Sequence, residues 1–197
     1  ANTGCGKSIM VSQWLDQTSY KYGWISIDQE HNNIEVFIAY FTAVLTKKLP
    51  ENDLGITYLN NVVKLPIDLI ISTLIKDLEE LNKPFVFVLD DYHLINEPKI
   101  HEIINGVLRY TLDHFHLVII TQIDPPLRLA RLRAQFLLRE LRMKDLVFST
   151  EEALSLRSII SNSISDDDVV AVLNYAEGWP TGVIAGLMGL AQGINIT

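Results

Sequence analysis

Apolar and polar residues follow two kinds of pattern along this chain. Three short apolar runs, YGWISID, PFVFVLDD and FHLVIITQ, indicate strands, and the last two are typical of strands buried on both faces of a sheet. Longer segments between them repeat apolar residues every three or four positions, as amphipathic helices do. This alternation of strands and helices predicts an α/β domain with a parallel sheet.

Helices are predicted in the segments between and around these strands. The first, KSIMVSQWLDQTSY, places Ile9, Met10, Trp14 and Leu15 on one stripe. The others lie in IEVFIAYFTAVLTKKL, in PIDLIISTLIKDLEELNK with Pro66 near its first turn, in EPKIHEIINGVLRYTL, and in the short segment IDPPLRLARLRA. The pattern of LLRELRM fits a helix and a strand equally well.

The last quarter of the chain contains helical segments and no strand pattern. Their predicted end signals are Thr150 and Ser165 as N-caps, Gly178 as a helix stop, and Pro180 in a first turn. Three consecutive helices predict a separate layer, so we place a domain boundary near Phe148. The expected division is a core over 1–148 and a helical lid over 149–197.

Composition limits the possible partners. The 197 residues are 48% apolar, enough for a sizeable core, and carry a net charge of −8 from 24 acidic and 16 basic residues. Such a balance disfavours nucleic-acid binding by the chain as a whole. No apolar run approaches the roughly 20 residues of a membrane helix, and a single cysteine excludes an internal disulfide. We therefore expect a cytoplasmic protein without membrane contact. A basic cluster over 128–144 is either a solvated face or a surface toward a phosphate or a neighbouring domain.

The first eight residues, ANTGCGKS, approximate a phosphate-binding loop, G-x-x-x-x-G-K-[ST], with Ala1 in place of the first glycine. Backbone N–H groups from Gly4 to Ser8 can cradle a β-phosphate at the start of the following helix. Lys7 would bridge the β- and γ-phosphates, and the Ser8 hydroxyl would ligate Mg²⁺. The predicted nucleotide-binding residues of the loop are Asn2, Thr3, Gly4, Cys5, Gly6, Lys7 and Ser8. The alternative is a glycine-rich turn before a helix.

Polar residues follow the ends of two predicted strands. Asp90 closes FVFVLDD, where its carboxylate can hold Mg²⁺, and Asp91 is the candidate that polarises an attacking water. Thr121 and Gln122 end the next strand, where a polar group can sense a γ-phosphate. Solvated strand ends are the alternative in both cases. The order of loop, paired acids and polar strand end favours a nucleotide site.

Several phrases together resemble the nucleotide-binding module of MalT-like, LuxR-type transcriptional regulators, which are signal-transducing P-loop ATPases of the STAND class. They are GCGKS, GWISIDQEHNN, FVFVLDDYHLI, LVIITQIDPPLRLARLRA and EGWPTGV. The resemblance implies a three-layer α/β/α core followed by a helical lid, with Pro180 near the adenine and LLRELRM as the last core strand. It also implies a strand ahead of the loop that this chain does not contain, and hence we expect a fragment of a longer protein.

The same resemblance implies a function. The module would bind ATP or ADP with Mg²⁺, hydrolyse ATP slowly with Asp91 and Gln122, and self-associate on ATP binding in the full-length protein. DNA would be bound by another domain and not by this chain. The family usually has arginine where Gln122 stands and often an acid where His31 stands. The alternatives are an inactive scaffold of the same fold and the ATPase module of a kinase- or cyclase-linked protein.

Overall fold

The structure, a computed structural model, describes residues 1–52, 54–58 and 64–194. Its contacts group the residues into two compact units. One unit is Val11–Leu138, and the other combines Ala1–Met10 with Arg139–Thr197. The predicted domain division at residue 148 stays a prediction.

A parallel sheet lies at the centre of the Val11–Leu138 unit. Its strands are β1 (Lys21–Ser26), β2 (Phe85–Asp90) and β3 (Phe115–Ile119), in that order across the sheet, and both pairings are parallel. The carboxyl ends of the three strands therefore lie along one edge of the sheet. The predicted α/β class with a parallel sheet is confirmed.

The described residues form eight α-helices. They are α1 (Lys7–Asp16), α2 (Ile34–Lys48), α3 (Ile67–Glu79), α4 (Pro98–Val107), α5 (Leu129–Ala134), α6 (Thr150–Ile160), α7 (Asp166–Tyr175) and α8 (Pro180–Ala191). Each falls in a segment predicted to be helical. Within the described ranges, none of the helices has the length and apolar character needed to span a bilayer.

The core of the sheet unit is built on β2, whose six residues are all buried. Phe85, Phe87 and Leu89 belong to one apolar cluster with residues of α2, α3 and α4. Phe87 stacks on Phe41 of α2 with ring centroids 4.1 Å apart. The intervening Val86 and Val88 are also fully buried, so both faces of the central strand are covered, as its continuous apolar run predicts.

The three C-terminal helices share a smaller apolar core of their own. It consists of Ala153 on α6, Val169, Val172 and Leu173 on α7, Val183 and Leu187 on α8, and Ile164 between α6 and α7. Ser165 caps α7 as predicted, because its hydroxyl accepts the Asp168 N–H at 3.2 Å. Gly178 follows the end of α7 with a φ of +72°, and Pro180 is the first residue of α8.

Two local predictions about helices are wrong. The N-cap of α6 is Ser149 and not Thr150, since the Ser149 hydroxyl accepts the Glu152 N–H while the Glu152 carboxylate accepts the Ser149 N–H at 2.8 Å. This reciprocal capping box satisfies two otherwise unpaired donors. In α1 the buried residues are Val11 and Leu15, four positions apart, whereas Ile9 and Trp14 are exposed.

The segment LLRELRM is neither the strand implied by the family resemblance nor a helix. Residues 137–142 have no regular structure, and Met143–Asp145 form a 3₁₀ turn. Leu137 and Leu141 are more than half exposed, so the apolar residues of the segment have no buried face that would favour a strand. All six basic residues between 128 and 144 are exposed as well.

Candidate functional site

The phosphate-binding loop candidate is an irregular segment that leads into α1. Gly4 has a φ of +76° and Gly6 a φ of +73°, both in the left-handed region that glycine adopts without steric cost. The Met10 N–H donates to the Gly6 carbonyl at 2.8 Å, so helical hydrogen bonding begins within the loop. The two glycines thus occupy positions where the backbone requires them.

Lys7 is the first residue of α1, and its side chain reaches back over the loop. Its ammonium group donates to the carbonyl of Ala1 at 2.9 Å and to that of Asn2 at 2.7 Å. Two carbonyl groups of the loop therefore bind the positive charge of Lys7. Ser8, the second residue of the helix, is half-buried.

Cys5 lies in the middle of the loop and is buried. Its Sγ atom is 3.2 Å from Sδ of Met143. A thiol enclosed in this way packs as a small apolar group, and it anchors the loop against the segment that precedes α6.

The start of α8 belongs to the same unit as the loop and is hydrogen-bonded to it. The indole N–H of Trp179 donates to the Thr3 carbonyl at 3.2 Å. The Thr181 hydroxyl and backbone N–H both donate to the Gly4 carbonyl, at 2.7 and 3.2 Å. Pro180, buried and located between these two residues, was predicted at this site, whereas Thr181 was not.

A cavity of about 940 Å³ adjoins the loop within the same unit. Its volume is at the upper end of the range usual for small-molecule sites. The lining is mostly apolar, and it includes the polar residue Asn2 and the charged residues Lys144 and Glu177. The complete lining is Asn2, Met143, Lys144, Val147, Val172, Tyr175, Ala176, Glu177, Trp179, Gly182 and Gly186.

In the sheet unit, the paired acids lie at the carboxyl end of β2. Asp90 is buried, and one of its carboxylate oxygens accepts the Asp91 N–H at 3.0 Å. Asp91 has a φ of +56°, and its side chain is about half exposed, with Nδ1 of His93 3.8 Å from its carboxylate. The turn in the backbone directs two successive carboxylates into different environments, one buried and one half exposed.

The polar end of the next strand lies at the same edge. Leu89 pairs with Ile119, and the Ile120 N–H donates to the Leu89 carbonyl at 2.9 Å, so the ladder continues one residue beyond β3. Thr121 turns its hydroxyl to the Ile123 carbonyl at 2.8 Å, and Gln122 is half-buried. The strand order thus brings Asp90, Asp91 and Gln122 to one edge.

Sequence reasoning missed a third polar pair at this edge. Asp28 follows β1, and its carboxylate is 2.7 Å from Nδ1 of the buried His31. The side-chain hydrogen bond from His31 lowers the pKa of Asp28. An acid followed by a histidine three positions later, after a predicted strand, is the sequence signal for this contact.

No metal cluster of the usual kind is formed by the described ranges of the chain. There, no three His, Cys, Asp or Glu side chains are grouped so that they could hold an ion.

An α/β fold with a parallel sheet, a glycine-rich loop at the start of a helix and acids at a strand end are features that P-loop nucleotide-binding proteins share. The chain is similar to proteins described as the HTH-type transcriptional regulator MalT. Identity is 30% over 188 residues with that of Vibrio campbellii, 31% over 188 residues with that of Vibrio parahaemolyticus, and 30% over 184 residues with that of Yersinia enterocolitica. These matches cover 91% of this chain and 20% of each relative.

The chain thus spans about a fifth of the length of the curated relatives it matches. No family model matches it. The resemblance to MalT-like regulators, inferred above from short phrases, is confirmed as a similarity that runs along nearly the whole chain.

Proposed function

We propose that this chain is the ATP-binding switch module of a MalT-like transcriptional regulator. The observation that carries the proposal is the loop before α1, in which Gly4 and Gly6 both have positive φ and Lys7 folds back over the backbone. The similarity to regulators named MalT over 91% of the chain supports it.

The loop offers the chemistry that polyphosphates need. Backbone N–H groups at the start of a helix attract anions through their dipoles. Lys7 adds a full positive charge, at present shared between two loop carbonyls, and phosphate oxygens would be stronger acceptors than these neutral groups. The cavity beside Asn2 and Trp179 is large enough for a nucleoside, and Pro180 would lie near its base.

The sequence motifs indicate the Ser8 hydroxyl and the Asp90 carboxylate as the proposed ligands of Mg²⁺. A hydroxyl and a carboxylate are hard oxygen ligands, which Mg²⁺ prefers, with the remaining positions filled by water and phosphate. Bound Mg²⁺ would neutralise charge on the phosphates. Asp91, half exposed beyond the strand end, would polarise a water molecule, and Gln122 at the same edge would orient it or contact the γ-phosphate.

In the whole protein, this module would act as a slow switch. ATP would favour a self-associating state, and hydrolysis to ADP would reset it. DNA contact would belong to another domain, in keeping with the net charge of −8 here, and the protein would work in the cytoplasm. The runner-up is a scaffold that has the fold and does not bind nucleotide.

Replacing Lys7 with alanine tests the proposal. The variant should bind ATP more weakly by about 1.5–3 kcal/mol, the range for charge-assisted hydrogen bonds, as measured by titration calorimetry. Lys99→Ala is the matched control, because it removes the same charge from an exposed position on α4 and should leave ATP binding unchanged. If the parent protein binds no ATP, the scaffold function is favoured; equal affinity of parent and Lys7→Ala would refute the role of the loop.

The paired acids are expected to have separate roles. Asp90→Asn should weaken Mg²⁺-dependent ATP binding, since a neutral amide is a poorer ligand for a divalent cation. Asp91→Asn should retain ATP binding and slow hydrolysis, because only water activation is removed. Binding measured with and without Mg²⁺, together with single-turnover hydrolysis, distinguishes the two variants. The same loss of binding in both would contradict the division of roles.

A further inference from the structure

The first turn of α8 holds two consecutive peptide groups of the phosphate-binding loop. Trp179 donates its indole N–H to the Thr3 carbonyl, and Thr181 donates both its hydroxyl and its backbone N–H to the Gly4 carbonyl. Three hydrogen bonds thus connect residues about 177 positions apart in the sequence. All of them lie within one compact unit of the structure.

These contacts determine the direction of two backbone donors. In a planar trans peptide the N–H group points opposite to the carbonyl of the same peptide unit. With the Thr3 and Gly4 carbonyls turned toward α8, the N–H groups of Gly4 and Cys5 must point away from it. These are the first two N–H groups of the predicted phosphate cradle.

The loop stabilises the start of α8 in return. The N-cap residue, Trp179, makes no side-chain capping hydrogen bond, and Pro180 has no N–H. The N–H of Thr181 is the first donor of the helix that needs a partner, and the Gly4 carbonyl supplies it. The conformation of the loop and the start of the helix therefore depend on each other.

We propose that Trp179 and Thr181 are positioning residues for phosphate binding, which hold the donors of Gly4 and Cys5 in the orientation that a β-phosphate requires. This inference rests on the proposed nucleotide-binding function. Its consequence is selective: loss of the contact weakens binding of nucleotides that have a β-phosphate and spares AMP, which has none.

Thr181→Val, which preserves the shape of the side chain and removes its hydroxyl, is the primary variant. ADP affinity measured by calorimetry should fall about three- to tenfold, the effect of one lost hydrogen bond, while AMP affinity from competition with a fluorescent ADP analogue stays within twofold. Thr181→Ser should restore ADP binding because it restores the hydroxyl. Trp179→Phe removes the indole donor and should act in the same direction.

The control is Thr150→Val, which makes the same chemical change at the exposed first residue of α6 and should leave both affinities unchanged. Equal losses of ADP and AMP affinity in Thr181→Val, or no rescue by serine, would overturn the positioning role. Unaltered ADP affinity in both Thr181→Val and Trp179→Phe would also overturn it, with the nucleotide-binding function intact. Failure of the parent protein to bind ADP would instead refute the proposed function.

Discussion

Replacing Gly4 with alanine is expected to weaken nucleotide binding by roughly a hundredfold or more. At a φ of +76°, an L-residue carries a backbone cost of about 1–2 kcal/mol. A Cβ atom there would also lie 2.5 Å from Oγ1 of Thr181 and 3.0 Å from the Trp179 ring, and crowding of this kind costs about 1–3 kcal/mol. Relief of the crowding requires the Thr181 and Trp179 side chains to move or the loop peptides to turn away from α8, and either change disturbs the hydrogen bonds that hold the loop.

Gly6→Ala is the matched comparison for Gly4→Ala. Gly6 has a similar φ of +73°, but among the described residues no atom outside Gly6 and its two chain neighbours lies within 4 Å of the position that its Cβ would occupy. In the absence of nucleotide, the free energy of unfolding of the Gly6→Ala variant should fall by only the backbone cost, about 1–2 kcal/mol. Gly4→Ala should lower the free energy of unfolding by more than Gly6→Ala does. The double variant Gly4→Ala, Thr181→Ala should recover part of that additional loss, because it removes the crowding hydroxyl. ADP affinity of Gly4→Ala within threefold of the parent would show that the close approach of α8 does not matter for binding.

Phe87→Ala is expected to have the largest effect on stability. Phe87 is fully buried in the central strand and stacked on Phe41. Its ring centroid is 6.3 Å from that of Phe85 and 6.4 Å from that of Phe115. Removing a buried phenyl ring costs about 3–5 kcal/mol, because apolar burial is lost and a cavity remains. This loss is a large fraction of the 5–15 kcal/mol by which a typical protein is stable. Denaturant unfolding monitored by circular dichroism measures it.

Phe136→Ala serves as the control for this measurement. Phe136 is 89% exposed, so its removal should change the free energy of unfolding by no more than about 0.5 kcal/mol. A Phe87→Ala loss below about 1 kcal/mol would mean that the aromatic cluster around β2 is not the centre of the core.

The strands and most helices could be predicted from local sequence because their signals are local. PFVFVLDD has five consecutive apolar residues that are β-branched, aromatic or leucine, and they form most of a strand that is buried throughout. Ser165 precedes three acids and an apolar run, and it caps α7. The strand prediction for LLRELRM is wrong because its signal is not local. Its leucines fit both a helix and a strand pattern, and their burial depends on neighbouring elements that the segment itself does not specify.

The candidate site likewise has some features that the sequence determines and one contact that only the tertiary structure determines. The sequence by itself determines that the loop can bend at Gly4 and Gly6 and that its positive charge lies on Lys7. Backbone freedom and side-chain charge are properties of single residues, so they can be recognised without the fold. The contact of Thr181 with the Gly4 carbonyl has no such signature, since any threonine can donate and every residue has a carbonyl. Only the tertiary structure decides it, through the packing that brings residues 177 positions apart into hydrogen-bonding distance.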